Sequence, residues 1–285
     1  MKDHRGVKVF LILWITSLAC VVPGMTTSAP LSTPTPDTRL EIMVAETVSV
    51  ALQMTEQVKP VQTSSQTPTS IPTATQTAIL ATPTQSAESV WDTNADGDTA
   101  FTDLLGKYSL VVPRQWVTFR RNAPEFDIIS TLPEAENPAI QRSLETIRSL
   151  DPNIFRLFAL DMNEEHIESG FVTNINVLWD AQQEMSLADG TQLEKLAATL
   201  PDSMNGAKVL VTEIRPTKNN IPYGVIASQT PVVTLDGAQI ILYQKQVFFD
   251  LPAGTLSITL STTDKWRETV EPSFDAIVDS LLILE

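Results

Sequence analysis

The chain has 285 residues, with 19 Lys+Arg against 34 Asp+Glu and a formal net charge of −15. Residues 1–86 carry five charges of each sign, so the whole excess lies in residues 87–285; a surface of that sign repels a phosphate backbone and excludes nucleic acid as a partner. One cysteine, Cys20, and two histidines, His4 and His166, exclude a disulfide framework, a Cys-rich zinc centre and a Cys nucleophile in the body.

The N-terminus reads as a secretory signal or membrane anchor over residues 1–20. Lys2, Arg5 and Lys8 make a basic start, an apolar run follows from Val9, and Ser17 and Ala19 supply small residues at its exit. Cys20 comes directly after Ala19 and resembles the acylated Cys of a bacterial lipobox, with Ser17 where that motif prefers Leu. Lipid modification of Cys20, plain cleavage and an uncleaved anchor are the three readings. The apolar run is short for a span of roughly 20 residues. Each reading places the mature protein outside the cytosol, anchored to the cell envelope or secreted.

Residues 21–100 read as a linker. Within it, residues 60–86 contain no charge, and sixteen of the 27 are Ser, Thr or Pro. With no apolar periodicity to bury, ordering entropy goes uncompensated, so a disordered, partly polyproline stalk is expected, plain or O-glycosylated. Over 38–58, Leu40, Met43, Val44, Val48, Ala51 and Leu52 fall on one helical face, which predicts a short helix able to pair with a partner helix.

From residue 101 the texture is that of a globular body, 101–285. Tyr108–Val112 reads as a strand closed by Pro113, with 116–119 as its hairpin partner. Asn137-Pro138 predicts a helix start, continued by Ile140, Leu144 and Ile147. Residues 154–160 and 171–179 read as strands, the second alternating Phe171, Thr173, Ile175, Val177 and Trp179 against Asn174 and Asn176. Thr191-x-x-Glu194 has the capping-box pattern and opens a helix with Leu193, Leu196, Ala197 and Leu200 inward. Strands then follow at 209–214, 223–235 and 238–249, the last two joined through Asp236-Gly237, and at 256–261 after Pro252-Ala253-Gly254, where Leu256, Ile258 and Leu260 alternate with Ser257, Thr259 and Ser261. A final helix stripes Val270, Phe274, Ile277, Val278 and Leu281, with Pro272 in its first turn. Successive strands joined by tight turns predict one antiparallel sheet covered by three helices, and about 180 residues suffice to bury a core without disulfides or metals.

This order resembles the PsbP-like/Mog-one-like α/β/α sandwich superfamily, which includes DcrB-like and LpqN-type lipoproteins. The residues that carry the resemblance are Gly106-x-Tyr108-Ser109-Leu110-x-Val112-Pro113-x-x-Trp116 and Asn174-Ile175-Asn176-Val177. Gln246-Val247-Phe248-Phe249 follows, then Gly254-x-x-Ser257-Ile258-Thr259-Leu260-Ser261, and Phe274-x-x-Ile277-Val278-Asp279-Ser280-Leu281 closes the chain. It covers about two-thirds of the chain. The resemblance implies an α+β body without shared catalytic residues, hence a non-enzymatic module.

Three local patterns bear on chemistry. Asp92-Thr93-Asn94-Ala95-Asp96-Gly97-Asp98 with Asp103 has the donor spacing of an EF-hand calcium loop, or of one dockerin half, although Thr99 stands where an aliphatic residue is usual; the alternative is an acidic end to the linker. Glu164-Glu165-His166-x-Glu168 is the one place where His meets carboxylates, either a metal or hydrolase centre or a solvated acidic turn. Trp116, Trp179 and Phe248-Phe249 read as core, and Arg120-Arg121 as solvated. The leading expectation is a tethered, non-catalytic envelope module that binds a protein partner or a small ligand. A carrier of an apolar ligand or lipid, which predicts a roomy apolar cavity between sheet and helices, and a hydrolase centred on His166 are the alternatives. No cofactor is expected beyond the possible Ca²⁺.

Overall fold

The computed structural model describes residues 88–285, apart from 189, 205, 235 and 236. The signal segment, Cys20, the helix expected over 38–58 and the Ser/Thr/Pro spacer all lie outside the described residues.

The body is α+β and is built on a seven-stranded antiparallel sheet in the order β4-β5-β6-β10-β9-β8-β7. Its strands are β4 (Val117–Phe119), β5 (Phe155–Leu160), β6 (Asn174–Asp180), β7 (Lys208–Pro216), β8 (Pro222–Val233), β9 (Gln239–Leu251) and β10 (Gly254–Thr263). The three-strand meander at its centre follows from turn chemistry. Between β8 and β9 the Gly237 N–H donates to the Thr234 carbonyl, with Gly237 at φ 82°, a left-handed value that favours glycine. Between β9 and β10 the chain reverses at Gly254, whose φ is +124° and where a Cβ would sit 2.3 Å from the Asp180 carbonyl oxygen. The Pro252-Ala253-Gly254 turn therefore depends on glycine for both conformation and space.

A second, four-stranded sheet runs β1-β2-β3-β11, formed by β1 (Ser89–Thr93), β2 (Thr99–Asp103), β3 (Tyr108–Val112) and β11 (Leu282–Ile283). It corrects two expectations. The first strand of the body does not pair with 116–119: β3 pairs with β2 and β11, whereas β4 pairs with β5 in the large sheet. Pro113, which has no N–H to continue a ladder, ends β3, and the following turn carries the chain from one sheet to the other. The body also starts earlier than residue 101, because the stretch read as the acidic end of the linker forms β1 and β2.

Four helices complete the body: α1 (Pro124–Ile129), α2 (Pro138–Ser149), α3 (Thr191–Ser203) and α4 (Arg267–Asp279). The start of α2 is as expected, with the Ala139 N–H donating to the Asn137 side-chain oxygen. The capping box at α3 is not formed. Gly190, at φ 72°, is the N-cap without a side-chain cap bond, and Thr191 is already helical. At α4, Arg267 begins the helix, which puts Pro272 inside it rather than in the first turn.

Alternation along the strands gives the large sheet two different faces. One packs against α4 and the small sheet through Leu157, Ile175, Val247, Phe249, Ile258 and Leu260, which meet Phe101, Tyr108, Leu110, Val270, Phe274 and Ile277. The opposite face is covered in two separate places. At the β4–β6 end, Phe158, Leu160 and Leu178 pack on α1 and α2. At the β8–β9 end, Ile226 and Phe248 pack on α3, which approaches closely because Gly224 has no side chain: a Cβ there would lie 2.8 Å from Leu193. The layers are thus helix and small sheet, large sheet, helices, the α/β/α sandwich with a small sheet added to one outer layer.

Candidate functional site

The structure disperses the calcium-loop pattern. Residues 92–103 form a β-hairpin in which Asp92 faces Ala100 and Thr93 faces Thr99. Asp103 lies three residues beyond that pair, roughly 10 Å along the strand, so the first and last donors of the pattern do not converge. Of the donors between them, Asn94 and Asp98 are already engaged. Asn94 Oδ1 accepts from the Asp96 and Asp98 backbone N–H groups, and Asp98 Oδ1 accepts from Arg114 N–H. Asp103 is fully buried, accepts from the Leu105 and Gly106 N–H groups, and pairs with Arg156 at 2.6 Å. Its role is that of a buried ion pair joining the two sheets. Among the described residues no group of three His, Cys, Asp or Glu side chains is placed to hold a metal ion.

His166 lies in a short 3₁₀ turn, Glu164–His166, in which Glu164 and Glu165 are exposed. Its partners are not those glutamates. Nδ1 lies 2.6 Å from Asp161 Oδ2, Nε2 lies 3.4 Å from Asn163 Nδ2, and the ring packs at 4.5 Å on Trp266. A carboxylate orients the imidazole as in a hydrolytic triad, but among the described residues no hydroxyl or thiol is bonded to it. Asp161, five residues upstream, escaped the sequence reading because a loop rather than a helix or strand brings it into contact. Ser280, the hydroxyl next to Asp279, accepts from Val111 N–H and donates to the Ile277 carbonyl. Asp279 pairs with Lys218.

The basic pair expected to be solvated is docked: Arg120 donates to Ser89 Oγ and Arg121 to the Leu150 carbonyl. Three of the four aromatic positions behave as core, while Trp179 is only partly buried and packs against it. Phe248 and Phe249 are fully buried, and Trp116 is buried with its indole N–H donating to Ser273 Oγ at 2.7 Å.

Beside α4 lies a charged cluster that the sequence reading missed. Lys245 on β9 is buried with its ammonium 2.8 Å from Glu271 and 2.6 Å from Asp275. Tyr243 Oη and Arg267 Nε also donate to Glu271. Burial opposes the charge on Lys245, yet its hydrogen bonds to Asp275 and Glu271 outweigh that and raise its pKa. Burial likewise works to raise Glu271, and the bonds from Lys245 and Arg267 outweigh it, so this carboxylate is held below its ordinary range. A groove of about 490 Å³ outside the cluster is lined by Lys218, Glu268, Glu271, Asp275 and Asp279.

The remaining feature is on the helix-covered face of the large sheet, between the two apolar clusters. Cross-strand partners share a face. Thr259 on β10 is paired with Asn176 on β6 and Gln246 on β9, and the next row places Ser261 beside Asn174 and Gln244, and Gln244 beside Ser228. The three central strands therefore present only Asn, Gln, Ser and Thr here, flanked by Phe158 on β5 and Ile226 on β8. All of these side chains are buried; Asn176 is 1% exposed, Thr259 0% and Gln246 3%. Gln244 Nε2 donates to Ser261 Oγ. Both side-chain polar atoms of Asn176, Thr259 Oγ1, Thr263 Oγ1, Gln244 Oε1 and Gln246 Oε1 have no hydrogen-bond partner among the described residues. A buried orphan polar atom costs on the order of 1–3 kcal/mol, so a run of them in one seam is a candidate binding surface. The alternation of Leu256, Ile258 and Leu260 with Ser257, Thr259 and Ser261 was visible in the sequence. That its polar side is covered rather than solvated was not.

No protein-family model and no curated protein matches the chain. Similar solved structures exist. Cyanobacterial PsbP (CyanoP) from Synechocystis sp. PCC 6803 is 14% identical, with a TM-score of 0.42 over 67% of this chain and 94% of that one. The Saccharomyces cerevisiae Ran-binding protein Mog1p is 11% identical, with a TM-score of 0.37 over 67% and 97%. LpqN, involved in cell envelope biogenesis of Mycobacterium tuberculosis, is 12% identical, with a TM-score of 0.27 over 49% and 69%. The likeness is one of fold alone.

Proposed function

We propose that the chain is a non-catalytic binding module, carried outside the cytosol on its N-terminal segment, and that it takes a small ligand on the helix-covered face of its large sheet. The observation that carries the reading is the seam of buried, partnerless amide and hydroxyl groups across β6, β10 and β9. The seam speaks against the apolar carrier, because a lipid tail would leave every one of those groups unsatisfied. His166 is a weak centre for hydrolysis, since its ring is engaged by Asp161 and Asn163 with no nucleophile at hand. Export rests on the signal pattern of residues 1–20 and on Cys20. No helix among the described residues is long and apolar enough to cross a membrane.

Native mass spectrometry of the full chain purified from its producing cells tests both parts. An acyl mass on Cys20 or a cleaved N-terminus, together with a small non-covalent adduct lost on stronger activation, is expected. An intact Met1 without an anchor-bound fraction sinks the export reading, and an adduct-free chain sinks the ligand reading.

A further inference from the structure

Resting on that reading, we infer that the seam is a site for a neutral, hydroxyl-rich ligand of the mono- or disaccharide class. The argument is one of chemical complement. On this face, no Asp, Glu, Lys or Arg occupies β6 from Asn174 to Leu178, β10 from Ser257 to Thr263, or β9 from Gln244 to Phe248. Lys245, between Gln244 and Gln246, points to the other face, where Glu271 and Asp275 hold it. The three strands themselves offer an anion no cation and a cation no carboxylate, so a charged ligand would gain no compensation from the sheet for its lost hydration.

The seam instead offers mixed donors and acceptors. Asn176 has one free atom of each kind, Thr259 and Thr263 have hydroxyls that serve as either, and Gln244 and Gln246 add free acceptors. A sugar hydroxyl is likewise both donor and acceptor, so a polyol satisfies such a mixture where an amine or a carboxylate satisfies only half of it. The extent agrees. Three strands across span roughly 10 Å, and Thr259 to Thr263 spans roughly 13 Å along the strand, an area of about one disaccharide. Phe158 stands at the β5 side of the patch beside Asn176, and Phe248 closes its end on β9, one row beyond Gln246; both are fully buried. A ligand reaches so enclosed a seam only when the covering layer opens locally, so association is slower than diffusion permits.

The test uses the full chain with maltose and N,N′-diacetylchitobiose as neutral probes, and citrate and decanoate as charged and apolar ones. Melting temperature and calorimetry are read for the wild type, for Asn176→Leu/Gln246→Leu, and for the milder Thr259→Val. At millimolar probe, at least one saccharide raises the wild-type melting temperature and citrate and decanoate do not. Without ligand, the variants melt at or above the wild type. The double variant binds the saccharide about tenfold or more weakly, the loss of one or two ligand hydrogen bonds. If both saccharides leave the wild type unmoved, or if the double variant and Thr259→Val bind as well as the wild type, the inference is overturned. A small adduct of another class in the native spectrum, with no saccharide shift, removes the saccharide assignment and leaves the binding module standing. No adduct and no shift removes both.

Discussion

The two faces of the large sheet are made from the same strands and meet different fates. Toward α4 and the small sheet, every central strand contributes aliphatic or aromatic residues, and one continuous apolar core results. Toward α1, α2 and α3, the same strands contribute Asn, Gln, Ser and Thr in the middle and apolar residues only at the sides, and the core is split in two. A protein selected for stability alone would fill both faces alike, because packed apolar groups contribute where partnerless polar groups cost. The contrast shows where stability is generated and where it is given up, and sites of the second kind are where function is sought.

The largest effect is expected on the continuous face. Phe274 on α4 is fully buried at its centre. Phe274→Ala removes an aromatic ring from a layer that cannot collapse onto it, and a loss of about 3–5 kcal/mol in a denaturant titration is expected. A loss below about 1 kcal/mol would show that α4 is not the keystone of that face.

An intermediate effect is expected at a charged spot on the same face. Glu271 bonds Lys245, Tyr243 and Arg267. In Glu271→Gln, Asp275 still pairs with Lys245, so the cost is about 1–2 kcal/mol rather than that of an abandoned buried charge. The pH dependence fixes the sign. The Glu271 pKa is lowered from 4.5 on folding, so its contribution is present above pH 4.5 and is lost as pH falls through the lower folded value. The Lys245 pKa is raised from 10.5, so its contribution is present below pH 10.5 and is lost as pH rises through the higher folded value. Stability measured against pH should therefore show a steeper acid limb in the wild type than in Glu271→Gln. Parallel acid limbs would remove Glu271 from the account.

The apolar face was legible in the sequence because alternation and helical stripes report what must be buried. Ile175, Val177, Leu256, Ile258, Leu260, Phe274 and Ile277 were all named from periodicity, and all lie in the main core. Sheet membership was less legible. The pattern at Tyr108–Val112 and Val117–Phe119 gives two strands but not their partners, and pairing is decided by the Pro113 turn and by β2, whose Asp-rich flank reads as linker. The seam was least legible of all. A strand with one polar side reads as half-exposed, and only tertiary structure shows that Asn176, Thr259 and Gln246 are buried side by side. The remaining signal was that the β9–β10 hairpin and the distant β6 each carry amide or hydroxyl residues at positions that come into register.

The smallest effect is also the one of opposite sign, and it bears most directly on the contrast between the faces. Thr259 is fully buried at the middle of the seam, and its hydroxyl has no partner among the described residues. Thr259→Val keeps the β-branched shape that suits the central strand and replaces the hydroxyl by a methyl group. Removing a partnered hydroxyl would cost about 1 kcal/mol, whereas removing a partnerless one recovers its desolvation, so a gain of up to about 1 kcal/mol in the ligand-free chain is expected. Paired with Ile258→Val, which deletes one methylene from the filled face and should cost about 1 kcal/mol, it gives a two-variant comparison on adjacent residues of one strand. Should both variants lose stability alike, the seam is an ordinary satisfied interior and the distinction between the faces disappears. Should Thr259→Val gain while Ile258→Val loses, the side-chain alternation of β10 separates a face that holds the fold together from one kept polar at the expense of stability.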